Sequence, residues 1–426
     1  MENLFRTLKK IIPQPVFKAL QPGYHYALAF IGAVLYRFPA KNITVIAVTG
    51  TKGKSTVTEL ITQILQADGR KVASLSTIQF SIAGVEQRNL FKMTMPGRFF
   101  VQKFLRQAVD AHCSHAVIEM TSEGAKQYRH AFIDLDALVF TNLTPEHIES
   151  HGSFEKYKAA KLRLAAAVMA SDKRPRVLIS NSDDEYGKEF LQFEVEEKIP
   201  YSLKDLTLYS LHKDGISLVY EDKTIRIPLV GLFNVYNCLA ALKTSEFFGV
   251  SLDTASKALT NLKTIKGRVE HFETAKDAPK KVIAVVDYAH TTDSLEKFYT
   301  AFPDKNKICI LGNTGGGRDT WKRPEMAAIA EKHCSHIILT NEDPYDENPK
   351  KIIDDMLAGI EDKEKVQVIM DRRKAIETAI NKAEDGTYVL VSGKGTDPYI
   401  MGPNGTRAPW SDAEEVRRAL RQISAE

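Results

Sequence analysis

The sequence predicts an α/β protein with two successive domains, each built on a mostly parallel sheet covered by helices. Three observations carry this. Short apolar, β-branched runs alternate with stretches whose apolar residues recur at helical spacing. The pattern runs first over Val45–Val48, Ala116–Ile118, Ala137–Phe140 and Val177–Ile179. After Gly267 it restarts, over Val282–Val286, Ile308–Leu311, His336–Leu339, Val366–Ile369 and Tyr388–Val391. Strands alternating with helices bury both faces of a parallel sheet. Boundaries fall near Phe38–Asn42 and Lys266–Glu270, which gives a short apolar segment at 1–40, a central domain at 41–267 and a C-terminal domain at 268–426.

A hydrophobic content of 43% supports full cores. The 58 basic residues nearly match the 54 acidic ones, a balance that gives no reason to expect a nucleic-acid partner. Cys113, Cys238, Cys309 and Cys334 are far apart and form no CxxC pair. Free thiols in a reducing cytosol are expected, rather than structural zinc or a disulfide framework. No small-residue cleavage site follows an apolar core near the N-terminus, so no secretory leader is expected. The stretch "YHYALAFIGAVLYRF", Tyr24–Phe38, is nearly all apolar, with basic Lys9, Lys10 and Lys18 upstream. It is shorter than the about 20 residues of a membrane span. Two readings stay open for it: a helix packed on a domain, or a helix lying on a membrane surface.

The most informative stretch is "VTGTKGKSTVTEL", Val48–Leu60. It joins the strand at Val45–Val48 to a helix with apolar Val57, Leu60, Ile61, Ile64 and Leu65. Gly50 and Gly53 permit a tight turn in which successive N–H groups of Thr51, Lys52 and their neighbours point at one anion. The helix adds its positive dipole end. Lys54 can neutralise β- and γ-phosphate charge, and Ser55 or Thr56 can ligate Mg²⁺. The strict pattern Gly-x-x-x-x-Gly-Lys-Ser/Thr is not met, because Val48 stands at its first glycine. A capped polar turn is the plain alternative. The strand before and the helix after favour a phosphate loop, hence a P-loop ATPase-like central domain and a Rossmann-like C-terminal one.

"TGTKGKST" resembles the ATP loop of the Mur ligases, the amide-forming enzymes of cell-wall precursor synthesis, and of their relatives the folylpolyglutamate synthases. Further stretches resemble Mur motifs in the family's order: "EMTSEGAKQYR" (Glu119–Arg129), "TNLTPEHIESHGSFEKYKAAK" (Thr141–Lys161), "GLFNVYNCLAAL" (Gly231–Leu242), "VDYAHTTDSLE" (Val286–Glu296), "GGGRDTWKRPEM" (Gly315–Met326) and "VSGKGTDPY" (Val391–Tyr399). Coverage runs from about Thr44 to the end, and the chain is identified as a MurE-like member. The resemblance implies an ATP-dependent, ADP-forming ligase of peptidoglycan synthesis. It would join an amino acid to a muramyl-dipeptide-like carboxylate through an acyl phosphate.

An anionic carboxylate must then meet an anionic γ-phosphate, and cations must offset the repulsion. Glu119 ends a strand, where open α/β sheets place ligands, and a carboxylate there suits Mg²⁺. The resemblance makes His147 a second metal ligand, and Lys161 a lysine carbamylated by CO₂ that helps position Mg²⁺. Carbamylation needs a neutral amine, hence a depressed pKa. Asn234 and Asn237, three apart on a helix start, can face one adenine; N-capping by Asn234 is the alternative. Asp287, Tyr288 and His290 follow a strand, where the carboxylate could hold ribose hydroxyls, and Arg318 lies in a glycine-rich loop that can approach phosphates. A nucleotide site completed by domain closure is expected.

Thr94, Pro96, Ser122, Gln127 and Arg129 resemble residues that hold the acceptor. Two departures from the family stand out. A MurE-type uridine-nucleotide domain of roughly 100 residues, an ordinary domain size, is expected not to fit in residues 1–40. The acceptor is then expected without its nucleotide, carried by a partner, or attached to lipid, the last with membrane contact through residues 24–38. The other departure is in the amino-acid pocket. Where diaminopimelate-adding enzymes carry Asp-Asn-Pro-Arg, this chain has "NEDPYDENP", and Tyr345 cannot form arginine's bidentate ion pair. Asp343, Asp346 and Glu347 make the neighbourhood acidic, and Gly393 and Asp397 align near the incoming amino acid. A basic amino acid is favoured over diaminopimelate; a solvated acidic loop is the plain alternative. A monomeric, cytoplasmic, membrane-peripheral enzyme is expected. The competing functions are a related ligase acting on a folate-like or cyanophycin-like carboxylate, and a non-catalytic nucleotide-binding protein.

Overall fold

A computed structural model describes residues 14–146, 148–303, 307–317 and 319–425. The chain divides into two compact units. One holds the described residues up to Ser202 together with Ala240–Ala255, the other Leu203–Leu239 together with the described residues from Ser256 onward.

The first unit begins with helix α1 (Gln14–Leu35). Its sheet has eight strands: β1 (Thr44–Thr49), β2 (Val72–Leu75), β3 (Gln79–Ile82), β4 (Val85–Arg88), β5 (His115–Glu119), β6 (Ala137–Phe140), β7 (Val177–Asn181) and β8 (Glu197–Tyr201). They run in the order β4-β3-β2-β5-β1-β6-β7-β8. Every pairing is parallel except β2–β3 and β3–β4. Helices α2 (Lys54–Ala67), α3 (Arg98–Asp110), α4 (Ser122–Lys126) and α5 (Phe154–Met169) cover it. Alternate residues of a strand point to opposite faces. Val45, Ala47, Ala116, Ile118, Leu138 and Phe140 pack with Leu105 and Leu164 on one face. Ile46, Val48 and Val117 are buried on the other, as is the inner stripe of α2, Val57, Leu60, Ile61 and Ile64. This double burial explains the unbroken apolar runs seen in the sequence.

The second unit holds an antiparallel sheet of β9 (Leu208–His212), β10 (Gly215–Tyr220) and β11 (Lys223–Ile227). Its six-stranded sheet contains β12 (Glu270–Glu273), β13 (Val282–Val286), β14 (Lys307–Leu311), β15 (His336–Leu339), β16 (Val366–Val368) and β17 (Thr387–Val391), in the order β12-β13-β17-β14-β15-β16. Only the edge strand β12 is antiparallel. A ribbon of β18 (Tyr399–Met401) and β19 (Arg407–Pro409) follows. The helices are α6 (Leu232–Phe247) and α7 (Leu252–Thr260), both crossed by the division between units, then α8 (Thr292–Thr300), α9 (Lys322–His333), α10 (Pro349–Leu357), α11 (Arg372–Lys382) and α12 (Asp412–Ala425). Val285, Leu311, Leu339 and Leu390 enter one core with Phe298 and Met326; Val286, Ile310, Ile338 and Val389 enter another with Ile376 and Leu420.

One expectation is corrected. Cys309 and Cys334 form a disulfide, while Cys113 and Cys238 are free and buried. The partners are 25 residues apart. The chain leaves β14, runs through α9 and returns at Cys334, the C-cap of α9, just before β15 pairs with β14. The crossover, invisible as a spacing motif, brings the two sulfurs together.

The Tyr24–Phe38 stretch packs on a domain along one side, as the first of its readings expects. Ala29 and Ala33 of α1 are buried and the helix packs on α3, whereas Leu20, Tyr24, Ile31, Val34 and Leu35 are exposed. Among the described residues no helix is long and apolar enough to cross a membrane.

A fully buried ion pair fixes the end of β17. Arg372 at the start of α11 meets Asp412 at the start of α12 at 2.7 Å and also donates to the Ser392 carbonyl at 2.8 Å. Removing one partner strands the other charge in the core. Arg372→Met should therefore lower unfolding stability by about 3–5 kcal/mol, read from the denaturant midpoint; an unchanged midpoint would contradict the assignment.

Candidate active site

The phosphate loop follows from β1 and α2. Gly50 has φ +149° and Gly53 φ +83°, so both sit where side chains are strained. A Cβ on Gly50 would also collide with the Thr141 hydroxyl. The loop is pinned to the segment after β6. Thr51 N donates to the Asn142 carbonyl at 2.8 Å, Lys52 N to Asn142 Oδ1 at 2.9 Å, and Thr141 Oγ1 to the Lys52 carbonyl at 2.7 Å. No side chain caps α2 at Gly53. Its leading amides lack intrahelical acceptors, which suits an anion.

Lys54 Nζ folds back on the Thr51 carbonyl at 2.8 Å. Ser55 Oγ donates to Glu119 Oε2 at 2.8 Å, where the ends of α2 and β5 meet. Glu119 is 2% exposed and also accepts from Thr77 N and Thr77 Oγ1. Thr77 Oγ1 in turn bonds Thr94 Oγ1 at 2.7 Å, tying the carboxylate to an expected acceptor residue. Thr56 is buried in the first turn of α2. Lys161, on α5, is 2% exposed and donates to the Gly50 carbonyl at 2.6 Å. Burial, followed by the charge of Lys54, holds its amine well below the ordinary lysine value. The Tyr157 ring lies 4.9 Å from Lys161 Nζ, and its hydroxyl bonds Thr51 Oγ1 at 2.9 Å. Lys52 is not loose either: it pairs with Glu146 at 3.0 Å. His147 and Arg318 lie outside the described residues.

The donors suit Mg²⁺. A hydroxyl and a carboxylate are hard oxygen ligands, and Mg²⁺ keeps most of its shell as water and phosphate. Among the described residues there is no group of three or more His, Cys, Asp or Glu that could hold a metal.

The expected acceptor residues cluster beyond Thr94. Ser122 Oγ meets His151 Nε2 at 3.1 Å, Gln127 Nε2 donates to Glu123 at 2.6 Å, and Arg129 Nη2 donates to Gln127 Oε1 at 2.8 Å.

In the second unit, Asn234 and Asn237 share one side of α6 and are linked at 2.9 Å, with Asn234 also donating to the Val230 carbonyl. Asn234 sits inside the first turn rather than at a cap position. Asp287 accepts Val269 N and Ala289 N, which fixes the turn after β13. Tyr288 is stacked under Arg268 at 4.7 Å and lies 4.5 Å from His290. Asp343 is ion-paired: Lys394 Nζ lies 2.9 Å from both its oxygens, 3.3 Å from Asp397 and 2.7 Å from the Tyr399 carbonyl. The neighbour that sequence reading passed over is Glu342. It is buried, accepts Thr314 Oγ1 at 3.1 Å, and its Oε2 has no hydrogen-bond partner among the described residues. Burial raises its pKa. Gly393, at φ +105°, leaves room for that oxygen, which a Cβ would strike. Tyr345 is held with φ +52° by its N–H to the Met401 carbonyl at 3.2 Å. Thr77, Tyr157, Glu342 and Lys394 were all missed in the sequence, since only their distant partners give them a role.

Comparison with known proteins places the chain in a family. The Mur ligase middle domain matches residues 48–245, and the Mur ligase, glutamate ligase domain matches residues 267–395. The chain is 33% identical to the UDP-N-acetylmuramoyl-L-alanyl-D-glutamate–2,6-diaminopimelate ligase of Syntrophomonas wolfei, over 89% of this chain and 79% of that protein. It is 34% identical to the protein of that name from Aquifex aeolicus, over 96% and 82%. A solved structure of a ligase with that name superposes with a TM-score of 0.61 at 29% identity, covering 89% of this chain and 78% of that one. Folylpolyglutamate synthase of Mycobacterium tuberculosis, solved with ADP and AMPPCP, shares the fold at a TM-score of 0.67 and 16% identity, covering 87% and 92%. On matched domains and on identity over most of its length, this chain belongs to the Mur ligase family.

Proposed function

We propose that the protein is an ATP-dependent ligase of the MurE type, which joins an amino acid to a muramyl-dipeptide-like carboxylate during peptidoglycan synthesis. The observation that carries the reading is the convergence of Lys54, Ser55, Glu119 and a buried Lys161 on one phosphate loop. ATP and Mg²⁺ go with the family. Lys54 and the α2 amides would receive the phosphates, and Ser55 and Glu119 would hold Mg²⁺, with His147 as a further ligand. The chemistry Mg²⁺ brings when bound is neutralisation of phosphate charge. The acceptor carboxylate then attacks the γ-phosphorus and ADP leaves; the amine attacks the acyl carbon and phosphate leaves. Lys161 acts as a carbamate: its neutral amine adds to CO₂ and releases a proton, converting a buried amine into an anionic group. Asn234, Asn237, Asp287, Tyr288, His290 and Arg318 serve the nucleotide, and Thr94, Ser122, Gln127 and Arg129 the acceptor.

The incoming amino acid is basic, lysine or ornithine rather than diaminopimelate. Asp343 is neutralised by Lys394, so Glu342, with one unsatisfied oxygen, supplies the counter-charge, beside Tyr345, Gly393 and Asp397. Glu342→Gln should lower kcat/KM for lysine by about tenfold or more, because it removes one member of a desolvated charge pair. Equal activity, or a wild-type preference for diaminopimelate, would refute this. The enzyme acts as a cytoplasmic monomer that touches the membrane surface through residues 24–38, supported by the exposed apolar side of α1. Phosphate release from ATP, screened over an amino-acid panel with muramyl-dipeptide acceptors bearing and lacking UDP, tests the whole reading. Release should require both acceptor and amino acid; release indifferent to the acceptor would overturn it.

A further inference from the structure

Six exposed residues of α1 form one stripe, apart from the exposed Tyr26 and Phe30, which face Tyr128 and Phe132. Leu20, Tyr24, Ala27, Ile31, Val34 and Leu35 recur at three-, four- and seven-residue steps, and all are exposed, Leu20 at 63% and Leu35 at 62%. The opposite face carries His25, Ala29, Gly32 and Ala33. Gly32 lies against Phe99 of α3, itself exposed, and His25 Nδ1 meets an Nη of Arg98 at 2.5 Å. The apolar border continues to exposed Met93, whose sulfur is 3.9 Å from Arg129.

Two guanidinium groups sit inside that border. Arg98 donates to the Gln127 carbonyl at 2.9 and 3.2 Å; Arg129 donates to Gln127 Oε1 at 2.8 Å and to the Met95 carbonyl. Every one of these acceptors is neutral. Neither arginine has a carboxylate within ion-pair distance among the described residues, and Arg129 Nε is buried without an acceptor. Glu123, whose charge acts on Arg129, accepts Gln127 Nε2 at 2.6 Å on one oxygen and faces Lys126 at 3.9 Å, and it forms no ion pair with either arginine within 4 Å among the described residues. His25 adds no third positive charge: burial and then the two arginines hold it near pKa about 4, so it is neutral at pH 7. Two half-buried guanidiniums are thus aimed by carbonyls with no ion-paired carboxylate and only Glu123 acting on one of them, which leaves the pair a net positive charge that an anionic ligand would offset. In sequence, residues 1–41 contain six Lys or Arg and only one acid, Glu2.

We propose that Arg98 and Arg129, set by Gln127 and by His25 of α1, form a phosphate-binding notch at the rim of the apolar stripe, and that its ligand is the phosphate of a lipid in an anionic bilayer. This rests on the proposed placement of the acceptor beside Gln127 and Arg129, and it names a lipid phosphate as what accompanies that acceptor. The stripe enters the interface as the notch takes the headgroup.

Co-sedimentation of the full chain with vesicles tests it, in the absence of ATP and acceptor. One set is phosphatidylcholine alone, the other phosphatidylcholine with phosphatidylglycerol. The chain should pellet with the anionic set. Arg98→Gln should weaken that binding about fivefold, the loss of one basic contact with an anionic surface, and Ile31→Asp should abolish it. Circular dichroism of both variants separates loss of binding from loss of fold, and where Arg98→Gln does not fold, Arg98→Lys replaces it, with a smaller loss expected. Chain that stays in the supernatant with both sets, binding untouched by the Arg98 variant, or calorimetric binding of inorganic pyrophosphate without vesicle binding would each overturn the proposal. ADP release with a soluble acceptor, measured on the same preparation, shows separately whether the ligase reading stands.

Discussion

Lys54→Ala leaves the chain folded and lowers kcat/KM for ATP by on the order of a thousandfold, the loss seen when one preorganised charge donor is removed from a phosphoryl-transfer centre. The side chain is partly exposed and rests on the Thr51 carbonyl, so its removal opens no core cavity. Thr51 and Lys52 spend their amides on Asn142, which leaves Lys54 and the amides of α2 to meet the phosphate charge. Steady-state ADP release and a thermal melt on the same sample check this. A variant with near-native turnover would show that the loop is only a capped turn.

Lys161→Met should have an effect of similar size for a different reason. The residue lies buried against the loop, donating to the Gly50 carbonyl. Burial, and then the charge of Lys54, lowers its amine well below the ordinary lysine value. The sign of the pH effect follows. The folded value is lowered, so the neutral, CO₂-reactive amine exists above that lowered value and disappears below it. Turnover should fall as pH drops through the folded pKa and recover on the alkaline side. Unmodified protein should also lose stability toward acid across the window between the lowered value and the ordinary lysine value, because there only the unfolded chain binds the proton. Carbon-labelled bicarbonate should give a carbamate resonance in the wild type that is missing from Lys161→Met. Full activity after exhaustive removal of CO₂ would disprove the carbamate.

The parallel strands were legible because burial on both faces makes them uninterrupted apolar runs; Ala137–Phe140, Val282–Val286 and His336–Leu339 agree to the residue. The exposed hairpin strand β4 and the β9–β11 sheet gave no such run, since much of their surface meets solvent. The phosphate loop was legible because its glycines, lysine and hydroxyls are consecutive. The residues that complete it were not. Thr77 reaches Glu119 across 42 positions and Asn142 reaches Lys52 across 90. Asp343 shows the opposite failure. Its sequence neighbours made it look like an open acidic site, and Lys394, 51 positions away, neutralises it. Arg98 carried no motif at all; it acquires meaning only once α1 lays His25 beside it.

The most direct test follows one atom. With the acceptor carboxylate labelled with heavy oxygen, a ligase that works by carboxylate attack on the γ-phosphorus must transfer one labelled oxygen to the released phosphate, and only when the amino acid is present to complete turnover. Labelled phosphate formed in step with amide product is the expected result. Amide formed with unlabelled phosphate would contradict the account.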